Sequence, residues 1–401
     1  MSRQGFCPTR LQRLMETMAG YVERGEMPGM VTLVSRDGET HVNTVGNKAF
    51  GEADPMRRDT IFRITSMTKP VIAAAAMTLV EECKLRLDDA VDPWLPELAE
   101  RKVLRRMNAL LDDTVPANRP ITLRDLLTFR MGLGLVMVHP VRYPIQYAMQ
   151  EAGLAPRGVA AAFSNDELMK RYGALPLVHQ PGEAWLYNNA SDVLGVLLAR
   201  RCGETLPQVL QERIFKPLDM KDTGFSVPEE KLGRLATAYD KDPETGKARV
   251  FDEAWGGRFA APPVFASGAT GLVSTVDDFF AFSQMMMNKG RLGNERILSR
   301  LSVELMTTDH ITPEQKARSH FFPGFWNERG WGFGLSVVTR RERLAGVPGR
   351  FGWDGGLGTS WYADPAEDMT GILLTQRAWE SPAGPAVNHD FWTAAYQAIA
   401  D

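Results

Sequence analysis

Strand signals in this chain are split between its two ends, and that split limits the folds open to it. Near the start, "GMVTLVSRDGETHVNTVG" (29–46) reads as two β-rich runs joined by Asp37-Gly38, a strong hairpin signal. Strand-like runs return only in the last third, at "TGLVST" (270–275), "GWGFGLSVV" (330–338), "SWYAD" (360–364) and "MTGILLTQ" (369–376). The sequence between is helical or looped and rich in proline. Helices are also expected at the two termini, over 9–25, where Leu11, Leu14, Met15, Met18 and Val22 share a face, and in "HDFWTAAYQAIA". The pattern predicts an α/β (α+β) fold: an antiparallel sheet built from both ends, flanked by N- and C-terminal helices, with a mainly helical domain inserted. The expected division is 1–85 with 200–401 for the sheet domain and 86–199 for the insert, with the active site in the cleft between them.

Net charge is −3, with 46 Lys and Arg nearly balancing 49 Asp and Glu, so there is no basic field for nucleic acid or an anionic membrane. A small, largely uncharged partner is expected. Three scattered cysteines (Cys7, Cys83, Cys202) do not make a disulfide framework or a metal cluster, and the six histidines show no close pair at ligand spacing. The N-terminus lacks a continuous apolar stretch of signal-peptide type, and no window approaches a membrane span. A cytoplasmic protein is expected.

The chemistry begins at "ITSMTKP" (64–70), which runs into "VIAAAAMTLVEE". Ser66 and Lys69 stand three positions apart, on one helical face, so their side chains can meet. Burial against an apolar wall lowers a lysine's pKa. A neutral Lys69 could take the serine's proton and make Ser66 a nucleophile without histidine. The Ser66 N–H, at a helix start, would also suit an oxyanion. The same spacing arises from a capping serine beside a solvated lysine, and Ser-x-x-Lys alone does not choose between the two.

Two further stretches do: "PGEAWLYNNASDVLG" (181–195), with Tyr187-Asn188-Asn189 ahead of a helix, and "RFGWDGGLGTSWYADP" (350–365), with Trp353-Asp354-Gly355-Gly356 ahead of a strand. With the Ser66 motif, and in this order, they resemble the serine β-lactamase and penicillin-binding protein superfamily. Within it the chain looks most like family VIII carboxylesterases and class C β-lactamases. The resemblance implies a β-lactamase-like fold in which Ser66 is acylated, Lys69 helps deprotonate it, and Tyr187 acts as a general base and later protonates the leaving group. It implies that cations near Tyr187 favour its phenolate, and that the Asn189 amide holds the lysine or a substrate carbonyl, although Asn189 also suits a helix cap. It places the oxyanion hole at the N–H groups of Ser66 and Gly356, with Gly355 allowing close backbone approach.

Trp353 departs from the usual pattern, in which a lysine of Lys-Thr-Gly helps hold a substrate carboxylate. Tryptophan offers an apolar wall and one N–H but no charge. The implied activity is a carboxylesterase that cleaves short-chain, uncharged esters, with no cofactor or metal. The rivals are a β-lactamase, D-aminopeptidase or other amide hydrolase of the same fold, an acyltransferase, and a non-catalytic binding homologue. No Gly-x-Ser-x-Gly occurs, which disfavours an α/β-hydrolase elbow.

Overall fold

A computed structural model describes residues 5–155 and 163–400. Its centre is a seven-stranded antiparallel sheet drawn from the two chain ends. The N-terminal hairpin supplies β1 (Gly29–Arg36) and β2 (Glu39–Gly46), with Asp37 and Gly38 both at positive φ in the turn. The C-terminal part supplies β3 (Arg329–Trp331), β4 (Ser336–Val338), β5 (Phe351–Gly355), β6 (Thr359–Asp364) and β7 (Met369–Thr375). The spatial order is β3-β4-β5-β6-β7-β1-β2, so the chain ends meet where β7 pairs with β1, from Met30 opposite Thr375 to Arg36 opposite Met369.

The alternation of β1 shows why this strand is apolar on both faces. Met30 and Val34 pack with helix α1 (Pro8–Glu23) and a C-terminal helix (Ala386–Gln397), through Leu14, Met18, Phe391 and Trp392. Val31 and Leu33 point the other way, into the large core shared with α2 (Thr68–Glu81). A strand covered on both sides reads as a continuous apolar run.

Sequence and structure part company at several places. The run 330–338 is two strands, broken at Gly334, which takes φ +69 where a Cβ would stand 2.8 Å from the Lys69 carbonyl. The break is where α2 presses on the sheet. Only Val273–Ser274 of 270–275 is a strand, and it pairs with Phe62–Arg63 outside the main sheet. Trp353, Asp354 and Gly355 lie ahead of β6 as expected, but themselves sit within the preceding strand β5, and Gly356 is in the turn to β6.

In the middle of the chain, α3 (Leu123–Leu127) opens with a capping box of Thr122 and Asp125, a pairing three residues apart that is visible in the sequence. Helix α4 (Asn189–Cys202) stops at Gly203, which has the left-handed conformation of a C-cap. The expected domain boundary at 199/200 falls inside α4. One continuous apolar core joins α2, α3 and α4 to the sheet.

Candidate active site

Ser66 lies in one turn of 3-10 helix, Thr65–Met67, that runs directly into α2. Thr65 takes φ +41, a conformation L-residues avoid at a cost of about 1–2 kcal/mol, so the backbone just before the serine is strained. Strand β5 is pressed against this turn. A Cβ on Gly355 would fall 2.4 Å from the Ile64 carbonyl and 2.6 Å from the Thr65 hydroxyl, so glycine is required here for packing against protein. Gly356 differs, with nothing within 4 Å of where a side chain would point.

The apolar run 71–79 buries α2 on all sides, and it takes Lys69 with it, at 1% exposure. The Lys69 ammonium nitrogen reaches Ser66 Oγ at 2.9 Å and the Ala269 carbonyl at 2.8 Å. Burial pulls its pKa down to about 7, against the pull of the Asp192 carboxylate, which favours the charged form.

Tyr187 arrives from the other side. A γ-turn at Asn188 (φ +82, ψ −66), closed by Asn189 N–H to the Tyr187 carbonyl at 3.3 Å, aims the ring at the serine. The Tyr187 hydroxyl hydrogen-bonds Ser66 and accepts the Trp353 indole N–H at 2.7 Å. Phe321 and Trp185 pack on its ring, with centroids 4.9 and 5.7 Å away. Lys69 lies over the ring face, 4.7 Å from the centroid. The expected favouring of the phenolate by cations is not what the structure shows. Burial raises the Tyr187 pKa and outweighs the hydrogen bonds from Ser66 and Trp353, so the phenol is neutral.

Asn189 also departs from expectation. Its amide nitrogen donates to the Leu154 carbonyl (2.9 Å) and the Tyr172 hydroxyl (2.7 Å), so it ties the helix start to other parts of the insert and not to Lys69. The residue behind Lys69 is Asp192, one turn into α4, which sequence reading passed over. Its carboxylate accepts from Ser267 Oγ (2.6 Å) and Ala269 N–H (3.0 Å), fixing the turn whose carbonyl holds Lys69. Asp192→Asn keeps an acceptor there but removes the charge that favours protonated Lys69. The acid limb of the pH–rate profile is expected to move to lower pH, read from kcat/KM between pH 5 and 9.

Two cavities meet at this point, and Ser66 and Gly356 are the residues common to both linings. One, of about 370 Å³, is walled by phenylalanines of the segment 251–265. The other, of about 270 Å³, holds Tyr187, Trp353 and Phe321. Among the described residues no cluster of His, Cys, Asp or Glu could hold a metal, and no helix is long and apolar enough to cross a membrane.

The Beta-lactamase family matches residues 14–389. The chain belongs to the beta-lactamase family. Its relatives in that family include Protein Rv1367c of Mycobacterium tuberculosis, 40% identical over 88% of this chain and 87% of that protein. Esterase EstB of Burkholderia gladioli is 32% identical over 89% of this chain and 88% of its own. Among solved structures of the beta-lactamase fold, EstCE1, described as a hydrolase with promiscuous acyltransferase activity, superposes with a TM-score of 0.79 at 26% identity, covering 97% and 99% of the two chains.

Proposed function

We propose that the protein is a carboxylesterase of the family VIII kind, hydrolysing uncharged carboxylic esters through an acyl-Ser66 intermediate. The observation that carries this is a buried lysine, poised near pH 7, hydrogen-bonded to a serine at the junction of two apolar cavities. Neutral Lys69 takes the Ser66 proton, and Oγ bonds to the ester carbonyl carbon. The carbonyl oxygen becomes an oxyanion held by the N–H groups of Ser66 and Gly356. Collapse breaks the carbon–oxygen bond to the alcohol, and Tyr187 gives its proton to the departing oxygen while Lys69 returns one to Tyr187. Water then attacks the acyl-enzyme, giving a proton to Lys69, and the acid leaves as Ser66 is reprotonated. Lys69 is the first base in this scheme because Tyr187 is neutral.

Ester is favoured over lactam by the charges around Trp353. A penicillin or cephalosporin brings a carboxylate, which is costly to bury without a cation. In the Trp353 cavity, Arg329 donates to the Tyr362 hydroxyl at 3.2 Å and shares the lining with the acidic Asp354 and Glu380. Arg63 is locked to Asp252 at 2.5 Å. Wild-type kcat/KM for nitrophenyl butyrate is expected to exceed that for a chromogenic cephalosporin by about 10²-fold or more, about 2.7 kcal/mol in the transition state. Comparable efficiencies would promote the β-lactamase reading. Trp353→Lys should shift the ratio toward the lactam.

A second reading, transfer of the acyl group to an alcohol, is supported by the apolar cavity beside Tyr187, which offers an alcohol a place next to the acyl-enzyme. Added butanol would then divert product from acid to ester.

A further inference from the structure

Esters have two halves, and of the two cavities that meet at Ser66 only one is lined by Tyr187. We propose that the larger cavity is an acyl chamber, selecting esters whose acyl half carries a bulky apolar group of aromatic-ring size, and that the Trp353 cavity takes the departing alcohol. This deepens the esterase reading and rests on it.

The assignment follows from where the proton must go. The oxygen that leaves has to lie against the Tyr187 hydroxyl, and Tyr187 lines the Trp353 cavity and not the larger one. The four groups on the tetrahedral carbon diverge. With Oγ below, the oxyanion toward Gly356 and the leaving oxygen toward Tyr187, the remaining acyl substituent enters the opposite cavity.

Size and chemistry set what that substituent is. A dry apolar cavity of about 150 Å³ accepts a benzene ring. The chamber, at about 370 Å³, has more than twice that room, and an acetyl group would leave most of it unfilled. Phe225, Phe251, Phe259 and Phe265 line its walls, with Leu357 beside Gly356. Its charged groups pair along one wall: Arg63 with Asp252 at 2.5 Å, and Arg258 with Asp252 at 3.6 Å while lying over the Phe251 ring. A neutral arylalkanoyl group meets all of these demands, and the short acyl chain expected from the sequence uses little of the chamber.

The test compares nitrophenyl 3-phenylpropanoate with nitrophenyl acetate, and 2-naphthyl acetate as a probe of the alcohol side. The wild-type enzyme is expected to favour phenylpropanoate over acetate by about tenfold or more in kcat/KM, as filling a hydrophobic pocket does. Leu357→Trp, which fills the chamber, should lower that ratio by about tenfold or more. Phe259→Ala, which removes one wall ring, should lower it about threefold or more. Both ratios are measured on one preparation, so any unfolded fraction cancels. Neither variant should move the naphthyl-to-nitrophenyl acetate ratio by more than about twofold. Acetate preferred by the wild type, or a Leu357→Trp variant that loses naphthyl acetate selectively, would overturn the proposal. Absence of turnover on every ester would instead sink the esterase reading beneath it.

Discussion

Ser66→Ala is expected to cut ester hydrolysis about 10⁴-fold or more in kcat, with the fold retained. Loss of a nucleophile leaves only binding and oxyanion stabilisation, and such losses run to several orders of magnitude. The fold should survive because the substitution removes one hydroxyl from a tight turn, while Lys69 keeps its bond to the Ala269 carbonyl. The measurements are steady-state hydrolysis of nitrophenyl butyrate and a thermal melt within a few degrees of wild type. Mass spectrometry after a phosphonate inhibitor gives a second reading, since the adduct should vanish with the serine. A variant that kept a tenth of the activity would show that another group is acylated.

Lys69→Ala and Tyr187→Phe are each expected to slow acylation about 10³-fold, and the double variant should be little worse than either alone. Both groups bond to Ser66, and groups that act as one unit do not contribute independently. Independent action would predict a loss of about 10⁶-fold by multiplying the two, so the double variant separates the cases by about three orders of magnitude. Tyr187→Phe carries a structural cost of its own, because the Trp353 N–H loses its acceptor in a buried site, worth about 1–3 kcal/mol. Pre-steady-state burst kinetics isolate acylation from that cost. A near-normal Tyr187→Phe enzyme would leave Lys69 alone to move the proton. The pH profile bears on the same point: with Lys69 near 7, activity should fall below that pH as the lysine gains its proton, and recover above it.

What the sequence by itself determined was local or periodic. The Asp37-Gly38 turn, the amphipathic face of α1, the Thr122 capping box and the Gly203 stop depend on residues within a few positions of one another. The pairing of Ser66 with Lys69 was legible for the same reason, since helix geometry brings positions three apart together. The apolar run after Lys69 made its burial one of two readings, and the structure decides for it, with the lowered pKa that follows. Tyr187 and Trp353 were legible only through a family resemblance, because nothing local marks a tyrosine as facing a serine far away in the chain.

Only the tertiary structure decided the rest. It turned the Asn189 amide nitrogen toward Leu154 and Tyr172, because α3, α4 and the rest of the insert pack into one core and the buried N–H groups find their acceptors there. It set Asp192 behind Lys69 through the 267–269 turn, a contact no spacing predicts. It kept Tyr187 neutral, since the cation lies over the ring and burial acts on the hydroxyl. And it made a chamber from Phe225, Phe251, Phe259 and Phe265, residues spread along the sequence whose rings share a wall only once the chain has closed around Ser66.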